Sequence, residues 1–175
     1  MLVEHLKRTR DALLRAADGV SEVQSRFSPG DGCWSIREIV EHVTLVERRI
    51  VEQMATKMPE APPPSGEKLA GPARFARLDD IIPTRGQRRL SAPETFRPVG
   101  TWPTVREGLA AFRDVRDRSI ALAEAAGPDV ASRVLVSRAF GELDLEEWLY
   151  FASLHAARHT EQIAEITQAA GFPAG

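Results

Sequence analysis

The sequence predicts an all-α fold, a four-helix bundle with a long crossover connection between its second and third helices. Three observations predict it. Four segments carry apolar residues at the 3.6-residue helical period. Two of the three links between them are short. The third, residues 58–101, holds eight of the twelve prolines. No long helix survives that density of fixed φ angles and missing N–H donors.

The first helix is expected over about 2–27, with Leu6, Leu13, Ala17, Val20 and Phe27 on one face, and "SPGDG" ends it. The second is expected over about 35–57. It opens at "SIRE", where Ser35 caps exposed N–H groups and Glu38 reaches back to the cap. Its apolar stripe runs through Ile36, Ile39, Val40, Val43, Val46 and Ile50 to Met54. Within the connection, "ARFARLDD" can form a short helix. Phe75, Leu78, Ile81, Ile82, Leu90 and Phe96 favour packing across the body over free disorder.

The third helix is expected over about 103–126, with Pro103 in its first turn and Thr101 or Thr104 as cap. "RVLVSRAFGEL" is short and β-branched and reads as a brief extended segment. The fourth helix is expected over about 144–170. The long link lets the chain cross the end of the bundle, so helices 2 and 3 can run parallel. The 175 residues fit one domain, 1–175, and no internal repeat is visible.

Composition narrows the function. Lys+Arg 23 against Asp+Glu 25 argues against a nucleic-acid binder with a dominant basic surface. No apolar run is long enough to cross a bilayer, and "MLVEHLKRTR" is amphipathic, unlike a signal peptide. The expectation is a cytoplasmic protein with a small-molecule substrate and neither nucleic-acid nor membrane partners. The single cysteine, Cys33, excludes an intramolecular disulfide; it reads as a loop residue before helix 2 rather than a nucleophile.

The chemistry concentrates in "LHAARHTEQIAEI". At about 100° per residue, His155 and His159 share a sector with Leu145, Trp148, Leu149, Ala152, Ala156, Ile163 and Ile166, so they point into the bundle. Buried imidazoles are costly unless their ring nitrogens are satisfied. An i, i+4 pair on one helix face can chelate one metal ion. His42, mid-helix 2 at the border of its apolar stripe, can supply a third nitrogen, whereas His5 reads as solvent-facing. Three neutral histidines would leave a coordination position open for water or substrate. The competing reading is a set of hydrogen-bonded core histidines.

"WSIREIVEHVTLVE" (34–47) and "LDLEEWLYFASLHAARHTEQIAEI" (143–166) resemble the DinB/YfiT-like superfamily, as does "LSAPETFRPVGTW" in the connection. The pattern covers about three quarters of the chain. The W-S-I-x-E-I-x-x-H block is specific in combination with H-x-x-x-H and a following Q-I. The resemblance implies a bundle with the crossover between helices 2 and 3, and a divalent ion on His42, His155 and His159. It implies nickel, zinc or iron, among which imidazole sites do not choose sharply, and a homodimer. Characterised relatives include thiol-dependent transferases using bacillithiol or mycothiol, a maleylpyruvate isomerase and domains of sulfoxide synthases. The leading expectation is therefore a metal-dependent thiol S-transferase acting on small electrophiles, with a low-molecular-weight thiol as co-substrate. A hydrolase using metal-activated water and a non-catalytic metal-binding stress-response or interaction module are the alternatives.

Neighbouring residues have two readings each. Glu47 is either a proton acceptor or ligand-orienting carboxylate, or one half of an ion pair with an arginine at a helix seam. Arg158 is either the holder of a substrate carboxylate or part of a solvated face. Gln162 can bond a ligand imidazole or bound water. "RGQRR" (85–89) can draw in an anion or simply be solvated. Trp34, Trp102 and Trp148 read as core or seam aromatics.

Overall fold

Four helices start on the same device, a capping side chain answered three residues later. In the computed structural model, which describes residues 1–68, 73–82, 92–127, 129 and 132–174, α1 spans Leu2–Ala16 and α2 Glu22–Arg26. The long helix α3 spans Ile36–Thr56, the short α4 Ala73–Ile81, α5 Val105–Ala125 and α6 Leu145–Thr167. Reciprocal caps open α2 (Ser21/Gln24), α3 (Ser35/Glu38), α5 (Thr104/Glu107) and α6 (Asp144/Glu147). Each satisfies two N–H groups that a helix start leaves without partners.

Two expectations are corrected here. The helix expected over 2–27 is two helices, because Gly19 at φ +71° ends the first and the Ser21–Gln24 box starts the second. Pro103 lies outside α5, ahead of the Thr104 cap. The extended segment is a hairpin: β1 (Leu135–Ser137) pairs antiparallel with β2 (Gly141–Leu143).

Helix directions follow from which residues meet. Val40 lies against Gly108, and Glu47 bonds Arg116, so α3 and α5 run parallel. A Cβ at position 108 would come 3.1 Å from Val40 Cγ1, so the two helices cross closely at this glycine. Arg10 pairs with Asp117 and Lys7 with Glu124, making α1 and α5 antiparallel. His42 meets His155 while Arg116 joins Glu47 to Ala152, so α3 and α6 are antiparallel. Parallel α3 and α5 oblige the connection to travel back along the whole of α3, roughly 30 Å at 1.5 Å per residue. That is the physical reason for its length.

The connection is anchored at both ends. Near its start, Val134 N–H donates to Pro62 O at 3.0 Å and Arg133 to Ala61 O at 2.7 Å. Lys68 and Arg77 close on the buried Glu147 carboxylate that also caps α6. At its far end the Val99, Gly100 and Thr101 N–H groups all donate to Glu41, at 2.9–3.0 Å. Burial pushes the Glu41 carboxyl up, but these backbone donors outweigh it and leave it below the ordinary carboxylate range. Glu41→Gln should cost about 1–3 kcal/mol, since its amide cannot accept from all three donors; the denaturant midpoint measures this. The loss should vanish in acid, where protonation of Glu41 itself weakens these bonds.

Two apolar clusters fill the bundle, one around Ile39, Val43, Phe112 and Ile163, the other around Leu6, Ile50, Met54 and Leu149. Between them lies a polar layer. Arg116, fully buried, donates to both oxygens of Glu47 (2.5 and 2.8 Å), to Thr9 Oγ1 and Leu6 O on α1, and to Ala152 O on α6. Among the described connection hydrophobics, Leu78 is buried and Phe75 and Phe96 are half-buried; Leu90 and the 85–89 basic run lie outside the described residues. No helix among the described residues is long and apolar enough to cross a membrane.

Candidate metal centre

α3 presents His42 and α6 presents His155 and His159 to one point. His155 Nε2 lies 3.2 Å from His42 Nε2 and 3.2 Å from His159 Nε2, and one ligand atom from each residue falls within 4.8 Å of the others. His42 and His159 are buried and His155 is half-buried. The i, i+4 spacing puts the α6 pair on one face; the antiparallel crossing of α3 brings the third ring against them.

The outer ring nitrogens decide what the inner ones can do. His42 Nδ1 sits 2.7 Å from the Phe96 carbonyl oxygen, which only accepts, so that nitrogen carries the proton. His159 Nδ1 sits 2.9 Å from Gln162 Oε1 and likewise donates. In the neutral rings both Nε2 atoms are therefore lone pairs, and both face His155 Nε2. A single N–H on His155 can satisfy only one of them. The donor set thus converges with more lone pairs than protons, which is the condition a cation resolves.

Spacing agrees. Ligand nitrogens about 2.0–2.1 Å from a first-row ion stand roughly 2.9–3.4 Å apart for octahedral or tetrahedral angles. The two 3.2 Å separations lie in that range. The residues present fit a divalent ion with three protein ligands.

Aromatic rings wall the cluster. Trp34 packs on His42 at 4.7 Å and on His159 at 6.4 Å between ring centroids, and Phe151 stacks on His155 at 5.7 Å. Neither Trp34 nor Phe151 was singled out from the sequence as part of a site. Trp34 stands just ahead of the α3 cap, and its place beside His42 follows from the helix start. Phe96 contributes through its backbone, which leaves no mark in the side-chain pattern.

Burial lowers the His42 imidazole below its ordinary value, against the Phe96 bond that raises it. Burial also pulls His155 well below the usual range, reinforced by His159, His42, Arg158 and Arg116. His5 is lowered too, by burial and then by Arg8. It is half-buried with its ring edge-to-face on Tyr150 at 5.0 Å, which corrects its solvent-facing reading. These folded-state values lie below the unfolded 6.5, so the unfolded chain binds more protons as pH falls. Chelator-treated protein should therefore be fully stabilised by these groups above pH 6.5 and melt at progressively lower temperature below it. Melting curves between about pH 7.5 and 5.5 measure this, and His155→Ala should flatten the dependence.

Glu47 is the correction to the expected site. Its oxygens are occupied by Arg116 and by Ser119 Oγ at 2.7 Å, so it belongs to the polar layer and is not a base at the cluster. An inward-facing arginine in a low-dielectric core draws the nearest carboxylate. Arg158 is buried beside His159 and is not on a solvated face, and its charge reaches His155. Gln162 bonds the His159 ring. A cleft of about 510 Å³ lined by Lys68, Arg74, Arg77 and Glu147 includes none of the three histidines.

A crossover bundle carrying three convergent imidazoles that could hold a metal ion defines the class of helical protein. The family model of the DinB superfamily matches residues 5–163, and the chain belongs to that superfamily. It is similar to YuaE of Bacillus subtilis (strain 168), an uncharacterised protein, at 23% identity, covering 86% of this chain and 87% of YuaE. Among solved structures it is similar to YfiT from Bacillus subtilis, described as a probable metal-dependent hydrolase with an unusual four-helix bundle topology. That likeness has a TM-score of 0.60 at 16% identity, over 95% of this chain and 84% of YfiT. The four-helix bundle protein TT2238 matches with a TM-score of 0.57 at 20% identity, over 94% of this chain and 96% of its own.

Proposed function

We propose that the protein is a cytoplasmic, divalent-metal-dependent enzyme that transfers a low-molecular-weight thiol to small electrophiles. The observation that carries the metal site is the convergence of the Nε2 atoms of His42, His155 and His159, with the outer nitrogens of two rings held by Phe96 O and Gln162. When bound, a nickel, zinc or iron ion supplies Lewis acidity that lowers the pKa of a thiol or water in its open position. Phe96 and Gln162 fix the ring orientations, and Trp34 and Phe151 exclude water from the flanks. Arg158 is the residue assigned to an anionic group of the substrate.

The engagement of Glu47 with Arg116 favours a thiol over water as nucleophile. A thiol begins near pKa 8.5, far below water at about 15.7, and needs no carboxylate base once it meets a cation. Hydrolysis is the second reading, favoured by the likeness to YfiT. The two separate on thiol dependence. Reconstituted protein should consume 1-chloro-2,4-dinitrobenzene or a related electrophile only when a thiol from a panel is present. Turnover of p-nitrophenyl esters unaffected by thiols would replace transfer with hydrolysis. Absence of any turnover with metal bound would favour a binding module.

A further inference from the structure

We propose that Arg116 is a positioning residue that sets the spacing of the His42, His155 and His159 nitrogens by tying α3 to α6 one layer beneath them. The inference rests on the proposed metal site. Glu47 follows His42 by five residues and Ala152 precedes His155 by three, so both anchors lie within about one or two helical turns of the cluster, on the same side of it. The guanidinium bridges these two anchors directly, with Nη2 2.8 Å from Glu47 Oε2 and 3.3 Å from Ala152 O. Its Nη1 holds α1 through Leu6 O at 2.9 Å and Thr9 Oγ1 at 2.7 Å, and Ser119 Oγ adds a donor to Glu47. One side chain thereby connects all four long helices.

The physical need is specific. Apolar layers tolerate small shifts, because contacts between methyl groups are non-directional. Ligand nitrogens do not, since a binding constellation has to be held within about 0.5 Å. A buried guanidinium–carboxylate pair has one satisfied geometry, and a shift of either helix would leave a charge unpaired in a low-dielectric core. Phe96 and Gln162 orient individual rings; neither spans the two helices that must be kept apart at the correct distance. Arg116 does.

The test compares metal affinity with stability. Nickel and zinc dissociation constants are measured by competition with a chromophoric chelator, and melting is measured on the metal-free proteins. The variants are Arg116→Lys and the pair Glu47→Leu with Arg116→Met, which removes both charges together so that the fold is kept. Lysine retains a cation for Glu47 but has no planar fork to reach Ala152 O as well. Ile50→Ala, in the apolar cluster beyond the polar layer, serves as a lesion of core packing alone.

Both charge-layer variants should bind metal at least about tenfold more weakly than wild type, with cobalt-substituted protein showing an altered visible spectrum. Ile50→Ala should keep wild-type affinity despite its lower melting temperature. Affinities within twofold of wild type in the charge-layer variants would overturn the positioning role. So would an equal loss of affinity in Ile50→Ala. If wild type binds no more tightly than His155→Ala, the metal site itself is wrong and the inference falls with it.

Discussion

His155→Ala is expected to abolish stoichiometric metal binding and with it any metal-dependent gain in stability. His155 Nε2 is the shared corner of the cluster, 3.2 Å from each partner. Removing it leaves His42 and His159 without the nitrogen that completes a three-ligand set. A ligand at a hundred times its dissociation constant stabilises the fold by about 2.7 kcal/mol. For a chain of this size that is a rise of roughly 5–10 °C in melting temperature. Wild type should show it with nickel or zinc, and His155→Ala should show none. Metal-free His155→Ala should keep most of the wild-type stability at neutral pH, because the partners of the deleted ring keep their outer hydrogen bonds. Elemental analysis of the purified variant at close to one ion per chain would reject the ligand assignment.

Arg116→Met alone is expected to destabilise the fold by about 3–5 kcal/mol. The loss comes from what remains. Glu47 is almost entirely buried, and its carboxylate would lose two of its three donors, leaving only Ser119. Adding Glu47→Leu should recover most of the loss, since replacing a buried ion pair by apolar residues is often neutral or stabilising by about 1–4 kcal/mol. The other groups in the layer keep partners: Thr9 Oγ1 still donates to the α1 backbone and Ser119 Oγ to Val115 O. Chemical denaturation of the two single variants and the pair gives the coupling energy. A double variant no more stable than Arg116→Met would show that the layer is held by something other than the charge pair.

Much of this molecule was legible in its sequence, for reasons of range. Helix phasing is a local property, so the inward sector of α6 and its two histidines followed from a 3.6-residue period. A capping box spans four residues, which made the start of α3 readable from Ser35 and Glu38. The break after Ala16 was readable by the same rule, in Ser21 and Gln24, but the apolar period running through it masked the signal. The crossover length carried its own meaning, because two parallel neighbours need a return as long as the helix.

What only the tertiary structure decided were the partners. A single inward-facing carboxylate does not name its counter-ion. Arg116 stands 69 residues from Glu47, and only the parallel packing of α3 on α5 joins them. That contact took Glu47 from the candidate site and made it part of the framework. The Phe96 carbonyl that sets the tautomer of His42 is a backbone atom, identical in every residue type, placed by Glu41 gripping the end of the connection. Residue types and periods therefore determined the helices and which imidazoles face inward. The approach of His42 Nε2 to 3.2 Å from His155 Nε2 depended on a contact between chain segments 113 residues apart, and distances of that kind exist only once the helices have packed.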